Sequence, residues 1–183
     1  VDLITQDREV VVAGAGELLT LAIAESLGVP RAAADWIKRG PCVRIDGGHR
    51  FEAEDGGRGF LEVSAPSATA GMLAVPGPGG LLPFGSRHSP GEWRAIRLRL
   101  KQAVLAASLT RALCALDMPP DSPRQLLLVG GPAGDDELTG VLARSLPETF
   151  TIGRGNVGAT LAATPLGHRY AVALGLTLAP SDT

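Results

Sequence analysis

Two cysteines in 183 residues, Cys42 and Cys114, exclude a disulfide-stapled scaffold: they stand far apart, form no C-x-x-C pair, and read as buried thiols of a reducing cytoplasm. Histidine is as sparse. His49, His88 and His168 have no ligand spacing, so no metal site is expected. No apolar run approaches the roughly 20 residues of a membrane-spanning helix, because Gly, Pro or charge interrupts each one, and no membrane partner is expected. A net charge of −2 gives no general attraction to phosphate backbones and argues against nucleic acid. Lysine occurs only at positions 38 and 101, and the remaining basic residues are Arg, a codon-bias pattern that makes either lysine conspicuous. The chain opens at Val1 inside the alternating run Val1-Asp2-Leu3-Ile4-Thr5, with no initiator Met, charged leader or apolar h-region. It reads as a piece of a longer protein.

What is present is a core-forming composition, 45% hydrophobic, long enough for one sizeable core or two lobes of one domain. Val1–Thr5 and Glu9–Ala13 read as a hairpin. Leu18 to Leu27, stopped by Gly28, reads as a helix, and a second runs from about Pro30 to Arg39. Gly40-Pro41 breaks it. Cys42–Phe84 then alternates in short segments, as a small, partly irregular β subdomain whose tips, Asp55–Gly59 and Pro76–Gly80, are turns and not phosphate loops. Ser89-Pro90-Gly91-Glu92 is a cap and first turn. The helix it opens is expected to run uninterrupted to about Leu116, about 40 Å at 1.5 Å per residue. Trp93, Ile96, Leu100, Ala103 and Ala107 share its apolar face; Arg94, Arg97 and Lys101 line another, for which a solvated face is preferred over an anion-binding stripe. After Pro119-Pro120 come a strand (Arg124–Val129), a helix (Asp135–Ser145), a strand (Phe150–Ile152) and a closing helix (Arg169–Leu178). That alternation predicts parallel β-α-β pairing, with ligands beyond the carboxyl ends of the strands.

Glycine turns stand at those ends, Gly130-Gly131-Pro132 and Gly153-Arg154-Gly155-Asn156, where a missing Cβ admits a ligand close to backbone. Gly130-Gly131-Pro132 matches neither the dinucleotide nor the P-loop fingerprint. Gly130-Gly131 reads equally as a tight strand-to-helix turn. Asp35-Trp36-Ile37-Lys38 puts an acid and a base one helical turn apart, either as a surface ion pair contributing well under about 1 kcal/mol or as a carboxylate for a ribose hydroxyl with Lys38 beside sugar and base. Arg169, beside Gly167, is either a surface arginine or a guanidinium stacked on a purine.

The order of these elements, with Ala13–Leu21, Ile37–Pro41, Leu128–Gly131 with Asp135–Leu138, and Gly153–Val157 with Arg169–Gly175, resembles the second half of the actin-like ATPases. Within that superfamily it resembles the large subunit of diol and glycerol dehydratase-reactivating factors. The resemblance implies an α/β fold, an actin-like (ribonuclease H-like) half with a parallel or mixed sheet flanked by helices. Its core lobe would be residues 1–29 and 85–183, with a small inserted α+β subdomain at 30–84. It implies ATP or ADP contacts from Asp35, Trp36, Ile37, Lys38, Gly130, Gly131, Pro132 and Arg169, with no catalytic or metal-ligating residue in this chain. Asp stands where the family tends to have Glu, and Pro132 offers no N–H where it tends to have a small hydroxyl residue. Mg²⁺ and the phosphates would be held by the N-terminal half of the same ATPase domain, so this chain alone would be inactive. The implied partners are that half, a small reactivase subunit and a cobalamin-dependent dehydratase, in the cytoplasm. A nucleotide-independent scaffold and part of an actin-like sugar or acid kinase are the alternatives.

Overall fold

A computed structural model describes residues 2–5, 8–85, 87–117, 124–155 and Gly167. The expected closing helix Arg169–Leu178, and Arg169 with it, lie outside these residues. The described part is a mixed α/β fold with antiparallel and parallel sheets.

The opening hairpin pairs β1 (Asp2–Ile4) with β2 (Glu9–Val11) antiparallel, Leu3 opposite Val10. Thr5 and Arg8 close it through Thr5 N–H to Arg8 O at 2.8 Å, and the Arg8 guanidinium donates to Leu116 O at 2.9 Å, fastening the hairpin to the far end of the long helix. Helix α1 (Gly16–Leu27) ends at Gly28, whose φ of +66° gives the left-handed cap expected of a glycine there. Pro30 then starts α2 (Arg31–Ile37), its carbonyl accepting from Ala33 and Ala34.

Strands β3 (Val43–Gly47), β4 (Arg50–Ala53), β5 (Arg58–Phe60), β6 (Leu73–Gly77) and β7 (Gly80–Gly85) form an antiparallel sheet in the order β5-β4-β3-β6-β7. Both glycine-rich tips join strand to strand, as expected of turns. Gly56 takes φ +82° between β4 and β5, and Gly80 takes φ +113° opposite Gly77.

Helix α3 (Pro90–Lys101) has the capping box its sequence announces: Glu92 N–H donates to Ser89 Oγ at 3.2 Å and Ser89 N–H to Glu92 Oε2 at 2.7 Å. The uninterrupted helix does not follow. A π-helical segment, Gln102–Ala106, separates α3 from α4 (Ala107–Ala115). Widening the turn there rotates the downstream residues, so Ala103 and Ala107 are exposed while Leu105, Ala106, Leu109 and Ala112 are buried. The solvated basic face is overturned as well: Arg97 and Lys101 are 0% exposed, and only Arg94 and Arg99 of this helix's arginines face solvent. Their partners come from other elements, described below. Cys114 on α4 is exposed, correcting the buried reading, while Cys42 is buried and both thiols are free.

Parallel strands β8 (Arg124–Leu128) and β9 (Phe150–Arg154) flank α5 (Leu138–Ala143) in the expected β-α-β order. The helix is shorter than expected. Asp135, Asp136 and Glu137 precede it, with Asp135 Oδ1 accepting the Glu137 N–H at 3.0 Å. One hydrophobic cluster joins α1, α2, the antiparallel sheet, the long helix and the parallel pair through residues such as Ile23, Ile37, Leu73, Trp93, Leu109 and Leu126. Trp93, fully buried, meets Phe84 edge-on at 5.7 Å.

Candidate functional site

Residues Asp35–Lys38 close α2. Lys38 keeps helical angles, which sets its ammonium beside Asp35 one turn back, Nζ to Oδ1 2.6 Å. The same Nζ donates to Thr20 Oγ1 at 2.8 Å and to Gly16 O at 3.2 Å, both on α1. All three ammonium protons are thus in use. Asp35 also pairs with Arg39, a partner outside the expected set, and the Arg39 guanidinium lies 4.5 Å over the Trp36 ring. Partial burial would raise the Asp35 pKa, but the bonds from Lys38 and Arg39 hold it below the ordinary carboxylate range. The Asp35 side chain remains 36% exposed, against 18% for Lys38. An ionised carboxylate has about four lone-pair sites, so Asp35 keeps acceptor capacity for a hydroxyl. Ile37 is fully buried in the core.

Gly130 follows β8 with φ +73°, a conformation only glycine adopts readily, and Gly131–Gly134 form a single 3₁₀ turn with Ala133 N–H to Gly130 O at 3.2 Å. A Cβ at Gly130 or Gly131 would meet nothing within 4 Å. Pro132 has no N–H to give.

The second glycine turn is corrected. Strand β9 continues through Gly153 and Arg154, so these residues pair with Leu127 and Leu128 instead of turning. At Gly155 the space is taken, since a Cβ there would stand 2.7 Å from Val129 Cγ1, whereas one on Gly153 would make ordinary contact with Leu127 Cδ1 at 3.6 Å. Asn156 lies outside the described residues.

Among the described residues no hydrogen bond of Asp35 or Lys38 reaches the Gly130–Gly134 turn. A buried ionic cluster that sequence reasoning missed links other parts of the chain. Arg97 forks onto Glu54, with bonds of 2.7 and 2.8 Å, and onto Glu137, with bonds of 2.9 and 2.6 Å. Lys101 donates to Asp135 at 2.8 Å and Glu137 at 2.8 Å. Burial opposes the charges, but the paired partners prevail, holding Arg97 above its ordinary pKa and lowering Glu137 to about 2. Glu54 Oε1 also accepts the Cys42 N–H at 2.7 Å. Burial first, and the Glu54 charge second, push the Cys42 thiol up to about 12, so it is an inert core thiol. The one available signal was the spacing of Arg97 and Lys101 on a line with buried Trp93, four residues apart.

A cavity of about 220 Å³, lined by residues including Leu27, Phe84, Arg87 and His88, shares no lining residue with this site. Among the described residues no group of three or more His, Cys, Asp or Glu is placed to hold a metal, while the open Gly130–Gly131 backbone and the part-exposed Asp35 carboxylate offer groups that fit part of a nucleotide.

A family model, the diol dehydratase reactivase ATPase-like domain, matches residues 1–180. The chain belongs to that family. Among reactivase relatives, the propanediol dehydratase-reactivating factor large subunit of Citrobacter freundii is 32% identical over 171 residues, covering 91% of this chain and 27% of its own length. The diol dehydratase-reactivating factor large subunit of Klebsiella michiganensis is 31% identical over the same share of each. This reactivase-family chain therefore spans about a quarter of those relatives. Among solved structures, a diol dehydratase-reactivating factor in nucleotide-free form aligns over 97% of this chain and 30% of that one, with TM-score 0.75 and 30% identity. A glycerol dehydratase reactivase aligns with TM-score 0.74 and 26% identity, again over 97% of this chain and 30% of that one. No helix among the described residues is long and apolar enough to cross a membrane.

Proposed function

We propose that this chain is the C-terminal part of an actin-like, ATP-binding chaperone ATPase domain, whose parent releases damaged cobalamin from a diol or glycerol dehydratase in the cytoplasm. Residues 1–29 and 85–183 form the core lobe and 30–84 the inserted subdomain. The bound nucleotide is ATP or ADP, with Mg²⁺ and the phosphates held by the N-terminal half of the domain. A small reactivase subunit and the cobalamin-dependent dehydratase are the parent's other partners. Asp35 accepts from a ribose hydroxyl, Lys38 positions Asp35, Trp36 and Ile37 shape the helix end, and Gly130, Gly131 and Pro132 present bare backbone to the adenosine. Arg169 stacks on the base.

The observations that carry this reading, beside family membership, are an open glycine turn after a parallel strand and a part-exposed carboxylate held ionised by two cations. Titration calorimetry of the full-length protein with ADP tests it. Asp35→Ala and Lys38→Ala are expected to weaken binding about ten-fold, equal to about 1.4 kcal/mol. Wild-type affinity in both variants would remove these residues from the site.

A second reading, a nucleotide-independent scaffold, draws on Pro132, which lacks a donor, and on Lys38, whose three protons are already bound. It predicts no ADP binding by the full-length wild type.

A further inference from the structure

The bonds of the buried cluster run from the segment just after α2 to the segment just after the glycine turn. Glu54 follows β4 and holds the Cys42 amide, four residues beyond Lys38. Asp135 directly follows the Gly131–Gly134 turn. Arg97 and Lys101, one turn apart on α3, join these ends: Arg97 takes Glu54 on one side and Glu137 on the other, and Lys101 takes Asp135 and Glu137. Arg94 approaches Glu54 at 3.8 Å and Glu137 at 4.0 Å. Three bases thus meet three acids.

Apolar side chains of similar volume would stabilise such a place as well or better, because desolvating ions is costly. What they would not supply is direction. Two forked guanidinium–carboxylate contacts fix both distance and plane, and the π-helical segment begins directly after Lys101.

We propose that Arg97 and Lys101 are positioning residues that hold the end of α2 and the glycine turn at a fixed separation, through Glu54 on one side and Asp135 and Glu137 on the other. The role assigned to this separation, matching the site to one adenosine, rests on the nucleotide reading above. The separation itself does not.

The test uses the full-length protein and two readouts, amide hydrogen exchange over residues 130–137 and ADP affinity. Glu54 touches neither part of the proposed site, so Glu54→Gln is the informative variant. Exchange over 130–137 is expected to rise about ten-fold and ADP affinity to fall about five-fold. Arg97→Lys, which keeps the charge and loses both forks, is expected to do the same and serves if Glu54→Gln does not fold. Leu109→Ala, a core truncation away from the cluster, controls for general destabilisation and should leave the 130–137 exchange pattern at its wild-type contrast with the rest of the chain. Unchanged exchange over 130–137 in both cluster variants overturns the proposal, whatever ADP does. If the wild type binds no ADP while Glu54→Gln still loosens 130–137, the nucleotide reading fails and the positioning role stands.

Discussion

Lys38 and Lys101, the only lysines in the chain, each bond an aspartate at 2.6 Å, yet they sit in opposite settings. Lys38 and Asp35 lie at a helix end, part-exposed, within four residues of each other. Lys101 is sealed from solvent and reaches acids 34 and 36 positions away in sequence. Water screens the first pair and lets it exchange partners, which suits a group that meets a ligand. The second pair has no such alternative, so its geometry is fixed by the fold and fixes the fold in return.

The contrast is broken most directly at Lys101. Lys101→Met leaves Asp135 and Glu137 buried short of a cation and is expected to cost roughly 3–5 kcal/mol, seen as a lowered denaturation midpoint. A loss below about 1 kcal/mol would place this cluster with ordinary surface pairs. At the glycines, Gly155→Ala should cost about 1–3 kcal/mol by crowding Val129, and Val129→Ala in the same chain should restore most of it. Gly130→Ala meets open space, so its cost is the left-handed backbone alone, about 1–2 kcal/mol, and no second-site truncation should rescue it.

Acid separates the two regions further. The Glu137 pKa is depressed from 4.5 to about 2 in the folded chain, so its contribution is complete above about pH 4.5 and is lost as pH falls from there through about 2. Asp35 is depressed too, and its contribution is likewise lost on acidification. Glu137→Gln should therefore flatten the acid limb of a stability–pH curve, while Asp35→Asn changes it little. The smallest effect is Lys38→Ala, below about 1 kcal/mol in stability, so any large loss of ADP affinity in that variant reports binding and not folding.

How much of this was legible in the sequence follows the range of each interaction. The Ser89–Glu92 capping box, the Gly28 stop, the opening hairpin and the Asp35–Lys38 pair lie within a few residues of their own partners, and local chemistry announces them. The parallel β8-α5-β9 unit was legible from its alternation. Arg97 was not, because Glu54 and Glu137 stand 43 and 40 residues away, and its one local signal, the four-residue spacing from Trp93 and Lys101, says nothing of the acids that would pair it. Gly155 shows the same limit. The space of its missing side chain is filled by Val129, and a glycine emptied for a ligand looks identical in sequence to one emptied for a neighbour.

The π-helical segment carries one more consequence. Residues Gln102–Ala106 add a single residue's worth of phase to an otherwise regular rod, which lets Leu109 and Ala112 line up beneath Trp93, Arg97 and Lys101. Regular winding through the same residues, with none removed, would swing α4 by about 100°, trading its apolar side for the exposed side that carries Ala107 and Arg111. Insertions and deletions are usually absorbed by loops. Here the middle of a helix absorbs the extra residue instead, and the Leu116 carbonyl that anchors Arg8 would be carried out of place if that segment wound regularly.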